Sequence, residues 1–242
     1  LAKFSGFNTV NGLMEVNGNV LLTGTSQSTS TAILKFVGSN NQTLGANGAS
    51  GVFANVLIQK SGGVLTVSDT IKLTQGLTWI SGAVNTSGSS FVFYGGSQTI
   101  DAEGFNFNNV QLNSQGNIIL ARPLKVDGDF TITGINLIEG ERVEIKGNYS
   151  STNTFFWGNG VEVYMVGSNN QTVNLAGTSG LKKSILINKP SGIVTLGANL
   201  VHSSGWQNIN IVNGTLDLNG FNVTLGGSLK NSGLVKLIGS EV

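Results

Sequence analysis

The sequence predicts an all-β chain wound as a right-handed parallel β-solenoid. The first sign is a phrase that returns: Gly38-Ser39-Asn40-Asn41-Gln42-Thr43 recurs letter for letter at Gly167-Ser168-Asn169-Asn170-Gln171-Thr172, with a degenerate copy at Gly95-Gly96-Ser97-Gln98-Thr99. Fixed self-similarity of this kind marks one structural unit stacked several times. The second sign is the apolar pattern, which alternates at spacing two in runs too short for helices. The third is punctuation. Gly makes up 35 of the 242 residues, and nearly every apolar run closes on Gly, Asn-Gly or Ser-Gly, which turn the chain at little steric cost. Only Pro123 and Pro190 interrupt the supply of backbone donors for ladders.

The elements follow in chain order. Each copy of the phrase trails an apolar run, namely Ile33 to Val37, Phe91 to Tyr94 and Val161 to Val166. After each Gln-Thr comes a loop and a further strand: Phe53 to Ile58, Phe107 to Leu112, and Lys183 to Ile187. A small turn then leads to another strand, as at Val64 to Val67 and Ile193 to Leu196. Ile71 to Thr74, Phe130 to Thr133 and Leu216 to Asn219 are each about one strand long. The separations of 56 residues from Gln42 to Gln98 and 73 from Gln98 to Gln171 suit composite units of about three coils, each of roughly twenty residues. The expected division is a single solenoid segment over 1–242, part of a longer chain, with units at 33–90, 91–160 and 161–234 and a truncated one opening at 235–242. Leu34 and Phe36, Val92 or Phe93, and Val163 or Tyr164 are expected at comparable inward sites, and like polar residues are expected to stack as Asn or Thr ladders along the corners.

The Gly-Ser-Asn-Asn-Gln-Thr corner, the Phe-x-Asn-Val strand and the Ser-Gly-Gly-Val turn resemble the β-helical repeats of large bacterial surface and secreted proteins. These include filamentous-haemagglutinin-like adhesins and autotransporter passengers, and bacteriophage fibre rods are similar. The resemblance covers most of the chain and implies an extracellular stalk or adhesive rod. Partners implied are neighbouring repeats or other copies at the solenoid ends, and host-surface glycans or other cell-surface molecules.

Composition narrows the alternatives. The chain has no cysteine, which excludes disulfides and thiolate metal centres and suits bacterial export. Thirteen cationic and twelve anionic side chains balance to +1, without the concentrated basic surface that nucleic-acid binding requires. Lys182-Lys183 is the sole adjacent basic pair and reads as a solvated turn. No apolar run approaches the roughly eighteen residues of a membrane span. The six Asn-x-Ser/Thr sequons, at Asn41, Asn85, Asn148, Asn170, Asn213 and Asn222, follow from the Asn, Ser and Thr content alone.

Solenoids also carry polysaccharide lyases and glycosidases, so carboxylates need weighing. Glycoside hydrolysis uses two carboxyls held across the scissile bond. Asp127 and Asp129 are two apart, as are Glu139 and Glu141, with Glu144 nearby. Both sets straddle a glycine, and both read first as polar turns. His202 is the single histidine, so neither a histidine zinc site nor a triad is indicated, and no metal or cofactor is expected. Among Trp79, Trp157 and Trp206, Trp157 sits in Phe155-Phe156-Trp157, where alternation must turn one ring outward. Phe156 or Trp157 is therefore the expected ligand-contact residue, beside the plainer reading of a loop that caps the core. Thr131-Ile132-Thr133 is the clear Thr-x-Thr strand, and the pattern does not recur once per coil at a constant spacing, so the regular Thr rows of an ice-binding face are not indicated. The expectation is a non-enzymatic structural or adhesive rod of an extracellular bacterial surface protein or phage fibre. The alternative is a carbohydrate-active β-helix that binds or cleaves polysaccharide.

Overall fold

A computed structural model of the chain describes residues 2–4, 12–22, 32–46, 52–152, 160–175, 183–202 and 208–239. Throughout them the ladders are parallel, and the strands stack as a β-solenoid. Among these residues there is no helix, hence none long and apolar enough to cross a membrane. Register partners lie one coil apart, from eighteen residues (Ala2 to Val20) to twenty-five (Asn188 to Asn213).

Each full coil runs along three faces, and each face has its own inward column. On face I, Leu124, Val143, Val163, Ile185 and Ile209 stack in register. On face II the column is Ile71, Phe91, Val110, Phe130, Tyr149, Val173 and Leu196. On face III it is Met14, Leu34, Val56, Leu77, Ile100 and Leu120. All but the partly buried Met14 are buried, and the three columns meet in one continuous core. The alternation that identified strands is thus also what fills the coil: in Phe130–Gly134, Phe130 and Ile132 point in while Thr131 is only partly covered. Burying such side chains contributes about 1.5–3 kcal/mol each. Aromatic rings thicken the middle of the stack, with Phe107 edge-on to Phe91 at 4.8 Å and Phe130 tilted on Tyr149 at 5.7 Å.

The three copies of the recurring phrase do not stack on one another. Ile33–Phe36 lies on face III and Gln42–Gly45 on face I, so the first copy turns the corner from III to I. Val163–Met165 lies on face I and Gln171–Asn174 on face II, so the second turns from I to II. The degenerate copy joins Ser90–Gly95 on face II to Gln98–Asp101 on face III. Leu34, Phe36, Phe93 and Val163 do point inward, but on three different faces, whereas Tyr164 points outward, half-buried. The reason is arithmetic: two coils carry Gln42 to Leu65 and Val84, and Gln98 comes only fourteen residues later, while two coils carry Gln98 to Ile118 and Ile138, and Gln171 comes thirty-three residues later, between one coil and two.

Candidate functional site: two lysine-filled corners and a side groove

The two full copies of the phrase build the same corner at different places in the rod. Gln42 is buried, and its Nε2 donates to Val16 O at 3.0 Å and Gly18 O at 2.9 Å in the coil before. Gln171 repeats this with Ile145 O at 2.9 Å and Gly147 O at 2.5 Å. Each glutamine offers its Oε1 to a lysine of the following coil, Lys60 or Lys189, eighteen residues on. Lys60 Nζ also donates to Asn40 O at 2.9 Å, and Lys189 Nζ to Asn169 O at 2.8 Å and Gly167 O at 3.2 Å. Both lysines are buried, 2% and 0% exposed. One ammonium and one amide therefore tie three successive coils together.

Asparagines brace the same corners. Asn19 Oδ1 accepts the Thr43 N–H and Asn148 Oδ1 the Thr172 N–H, at 2.9 and 2.8 Å. Asn41 Oδ1 accepts from Val64 N–H and Asn170 Oδ1 from Ile193 N–H, at 2.9 and 3.0 Å. Above each lysine stem sits a glycine of the next coil at positive φ. Gly82 has φ +104° and Gly214 φ +103°, and a Cβ there would lie 2.6 Å from Lys60 Cβ or 3.0 Å from Lys189 Cβ.

No carboxylate forms an ion pair with either ammonium among the described residues. Burial lowers the pKa of both lysines, because removing a charge from water disfavours the charged form. The surrounding carbonyl and amide oxygens oppose that effect, as hydrogen bonds to a buried charge must. Enclosed in this way, the lysines are braces rather than exposed nucleophiles. Sequence reading missed them. The available signal was a lysine eighteen residues after the glutamine of both copies.

Among the carboxylate candidates, Asp127, Asp129 and Glu144 are also taken up by the fold. Asp129 belongs to a corner ladder: its N–H donates to Asn109 Oδ1 at 2.8 Å, and its Oδ1 accepts the Asn148 N–H at 2.7 Å. Asp127 pairs with Lys146 at 2.7 Å and accepts from Asn106 Nδ2 at 3.0 Å. The two aspartates line separate grooves, of about 490 Å³ for Asp127 and about 340 Å³ for Asp129. Glu139 and Gly140 end the strand Leu137–Gly140, and Glu141 and Arg142 form the corner beyond it. Glu144 accepts from Arg142 Nε at 2.7 Å, and the Arg142 guanidinium lies 5.4 Å from the centre of the Tyr164 ring. The hydrogen bond to Glu144 raises the Arg142 pKa further. Burial raises that of the Tyr164 hydroxyl, which donates to Glu162 Oε2 at 3.1 Å.

The larger of these two grooves arises where face I is interrupted. Residues 83–85 pair on one side only, with residues 64–66, and the next pass along this face contributes a single bridge, Phe107 to Val126. The Thr86 hydroxyl spans the gap by donating to Asn106 O at 2.7 Å. Phe105 packs on Phe107 at 4.9 Å on the core side, and Asn85, Ser87, Asn106 and Asp127 stand around the opening.

Of the aromatic candidates, Trp79 is packed against the core with its Nε1 donating to Gly82 O at 2.9 Å. Phe156, Trp157, Trp206 and Lys182 lie outside the described residues. His202 ends the strand Leu200–His202. Among the described residues, no group of three or more His, Asp or Glu side chains is placed to hold a metal ion. In comparisons with known proteins, no family model, no curated protein and no solved structure matches the chain.

Proposed function

We propose that the chain is a non-enzymatic rod segment of an extracellular bacterial surface protein or fibre, acting as a spacer or adhesive stalk. One observation carries this reading: many of the side chains that could do chemistry are bonded from coil to coil. Lys60, Lys189, Gln42, Gln171, Asp129 and Asn148 each reach a neighbouring coil. The surface pairs Lys35 with Glu15 and Lys236 with Asp217 join register partners in the same sense. A rod under load is served by bonds that run along its axis from one coil to the next. A transition state, by contrast, needs preorganised groups left facing a substrate. The natural partners of such a rod are coils of its own kind. In the outermost described coil Leu229 and Leu234 are exposed, and a neighbouring repeat or a second copy would cover them.

Two measurements test the proposal. Small-angle scattering should report an elongated rod, and a panel of neutral and acidic polysaccharides should show no turnover. Cleavage that disappears in Asp127→Asn or Glu141→Gln would overturn the non-enzymatic reading in favour of a carbohydrate-active one.

A further inference from the structure

We propose that the groove opened by the interruption of face I is a binding site for a neutral saccharide. This goes beyond the rod reading, which stands without it. The groove lies on the side of the rod between residues 83–87 and 104–108, where a regular coil would have continued the ladder beyond residues 83–85. Its volume of about 490 Å³ falls within the roughly 300–1,000 Å³ typical of small-ligand sites.

The lining matches the chemistry of a sugar. Partly buried Val84 and the small part of Phe105 that stays exposed, 7%, give an apolar base for C–H groups of a pyranose ring. Around them, amides and a hydroxyl present donors and acceptors suited to neighbouring hydroxyl groups. Two of these side chains are already held in place. Asn85 Oδ1 accepts the Ser87 N–H at 3.0 Å, and Asn106 Nδ2 donates to Asp127. Asn85 Nδ2 and Asn106 Oδ1 retain bonding capacity in directions fixed by those contacts, and the Ser87 hydroxyl can rotate to meet a partner. Groups positioned before binding lose less entropy when a ligand arrives.

Charge selects the class of sugar. No lysine or arginine lines the opening, and Lys146, which pairs with Asp127, lies outside its lining. A uronate or sialate would meet the Asp127 carboxylate without a free counter-charge. A neutral ring meets no such penalty.

The test is a titration of the uniformly ¹⁵N-labelled chain with lactose, maltotriose, mannotriose and chitobiose, and with sialyllactose and digalacturonate as anionic counterparts. At least one neutral sugar should give saturable shifts centred on residues 83–87 and 104–108. Asn85→Ala and Asn106→Ala should each weaken it about tenfold, the effect of losing roughly one hydrogen bond, while Gln111→Ala in the neighbouring groove leaves it unchanged. If Asn106→Ala loosens the Asp127 corner and lowers the melting temperature, Asn85→Ala carries the test alone. The proposal is overturned if no neutral sugar in the panel shifts these residues, if the shifts centre elsewhere, or if the anionic counterparts bind more tightly. A silent titration would leave the scattering and turnover results for the rod unaffected.

Discussion

The Gln171 corner and the Gln98 corner are written with nearly the same letters and are filled differently. At Gln171, and likewise at Gln42, the amide reaches back one coil and an ammonium of the next coil closes the cage. At Gln98 the corner is one residue shorter from Gly to Gln, and the next coil brings Ser114 instead of lysine. The Ser114 hydroxyl lies 2.6 Å from Gly96 O and 2.9 Å from Gly95 O, so a short side chain serves carbonyls that elsewhere need a long one. Gln98 Nε2 donates within its own coil, to Tyr94 O at 2.7 Å, and its buried Oε1 has no hydrogen-bond partner. The phrase thus specifies a turn. Whether that turn also clamps three coils depends on a residue one coil later.

The largest test of this contrast is to remove the cation. Lys189→Met leaves several buried oxygens without a donor, at about 1–3 kcal/mol each, so a loss of about 3–5 kcal/mol is expected in guanidinium unfolding. Ser114→Ala should cost only about 1 kcal/mol. Equal losses would abolish the distinction between the corners. Exchanging the glutamines comes next. Gln171→Leu, which breaks bonds to two coils, should cost about 2–3 kcal/mol, against under about 1 kcal/mol for Gln98→Leu, which removes an already unsatisfied oxygen. Gly214→Ala probes the roof of the lysine cage, where φ is +103° and a Cβ would press on the Lys189 stem. About 1–3 kcal/mol is expected, and most of it should persist when combined with Lys189→Ser, which keeps the Cβ that the new methyl would meet and leaves the positive φ in place.

Two smaller effects set the scale for polar groups outside these corners. The Tyr149 hydroxyl is buried without a partner, and burial pushes its pKa far up. Tyr149→Phe keeps the ring on Phe130 and should leave stability unchanged or raise it by about 1 kcal/mol in the same unfolding assay. Finally, the hydrogen bond from Lys236 holds the Asp217 carboxyl below its ordinary value of 3.8. A depressed folded pKa means that the contribution is present above about 3.8 and is lost as pH falls through the folded value. Because Lys236 is half exposed, the contribution should be below about 1 kcal/mol. Unfolding of Asp217→Asn measured at neutral and acidic pH would isolate it, and a loss above about 2 kcal/mol at neutral pH would place this surface pair on a level with the buried cages.

What the sequence determined by itself is the local grammar. Alternation in runs such as Phe130-Thr131-Ile132 and glycine at the ends of runs state strand, face and corner, because side-chain direction in a strand depends only on neighbouring residues. The turn reading of Val126-Asp127-Gly128-Asp129 rests on the same local physics, and the structure has a corner there. Tertiary structure decided what depends on accumulated coil length: which corner each copy of the phrase turns, which residue stands one coil above Gln42 or Gln98, and where face I lacks a strand. Lys60 and Lys189 are written as ordinary polar corner residues, and only stacking encloses them among carbonyl oxygens. Asp129 is written as a possible acid, yet the coil above it supplies the Asn148 N–H that binds its carboxylate. Coils of unequal length add their differences turn by turn, so a side chain's surroundings follow from the whole path of the chain and not from its nearest letters.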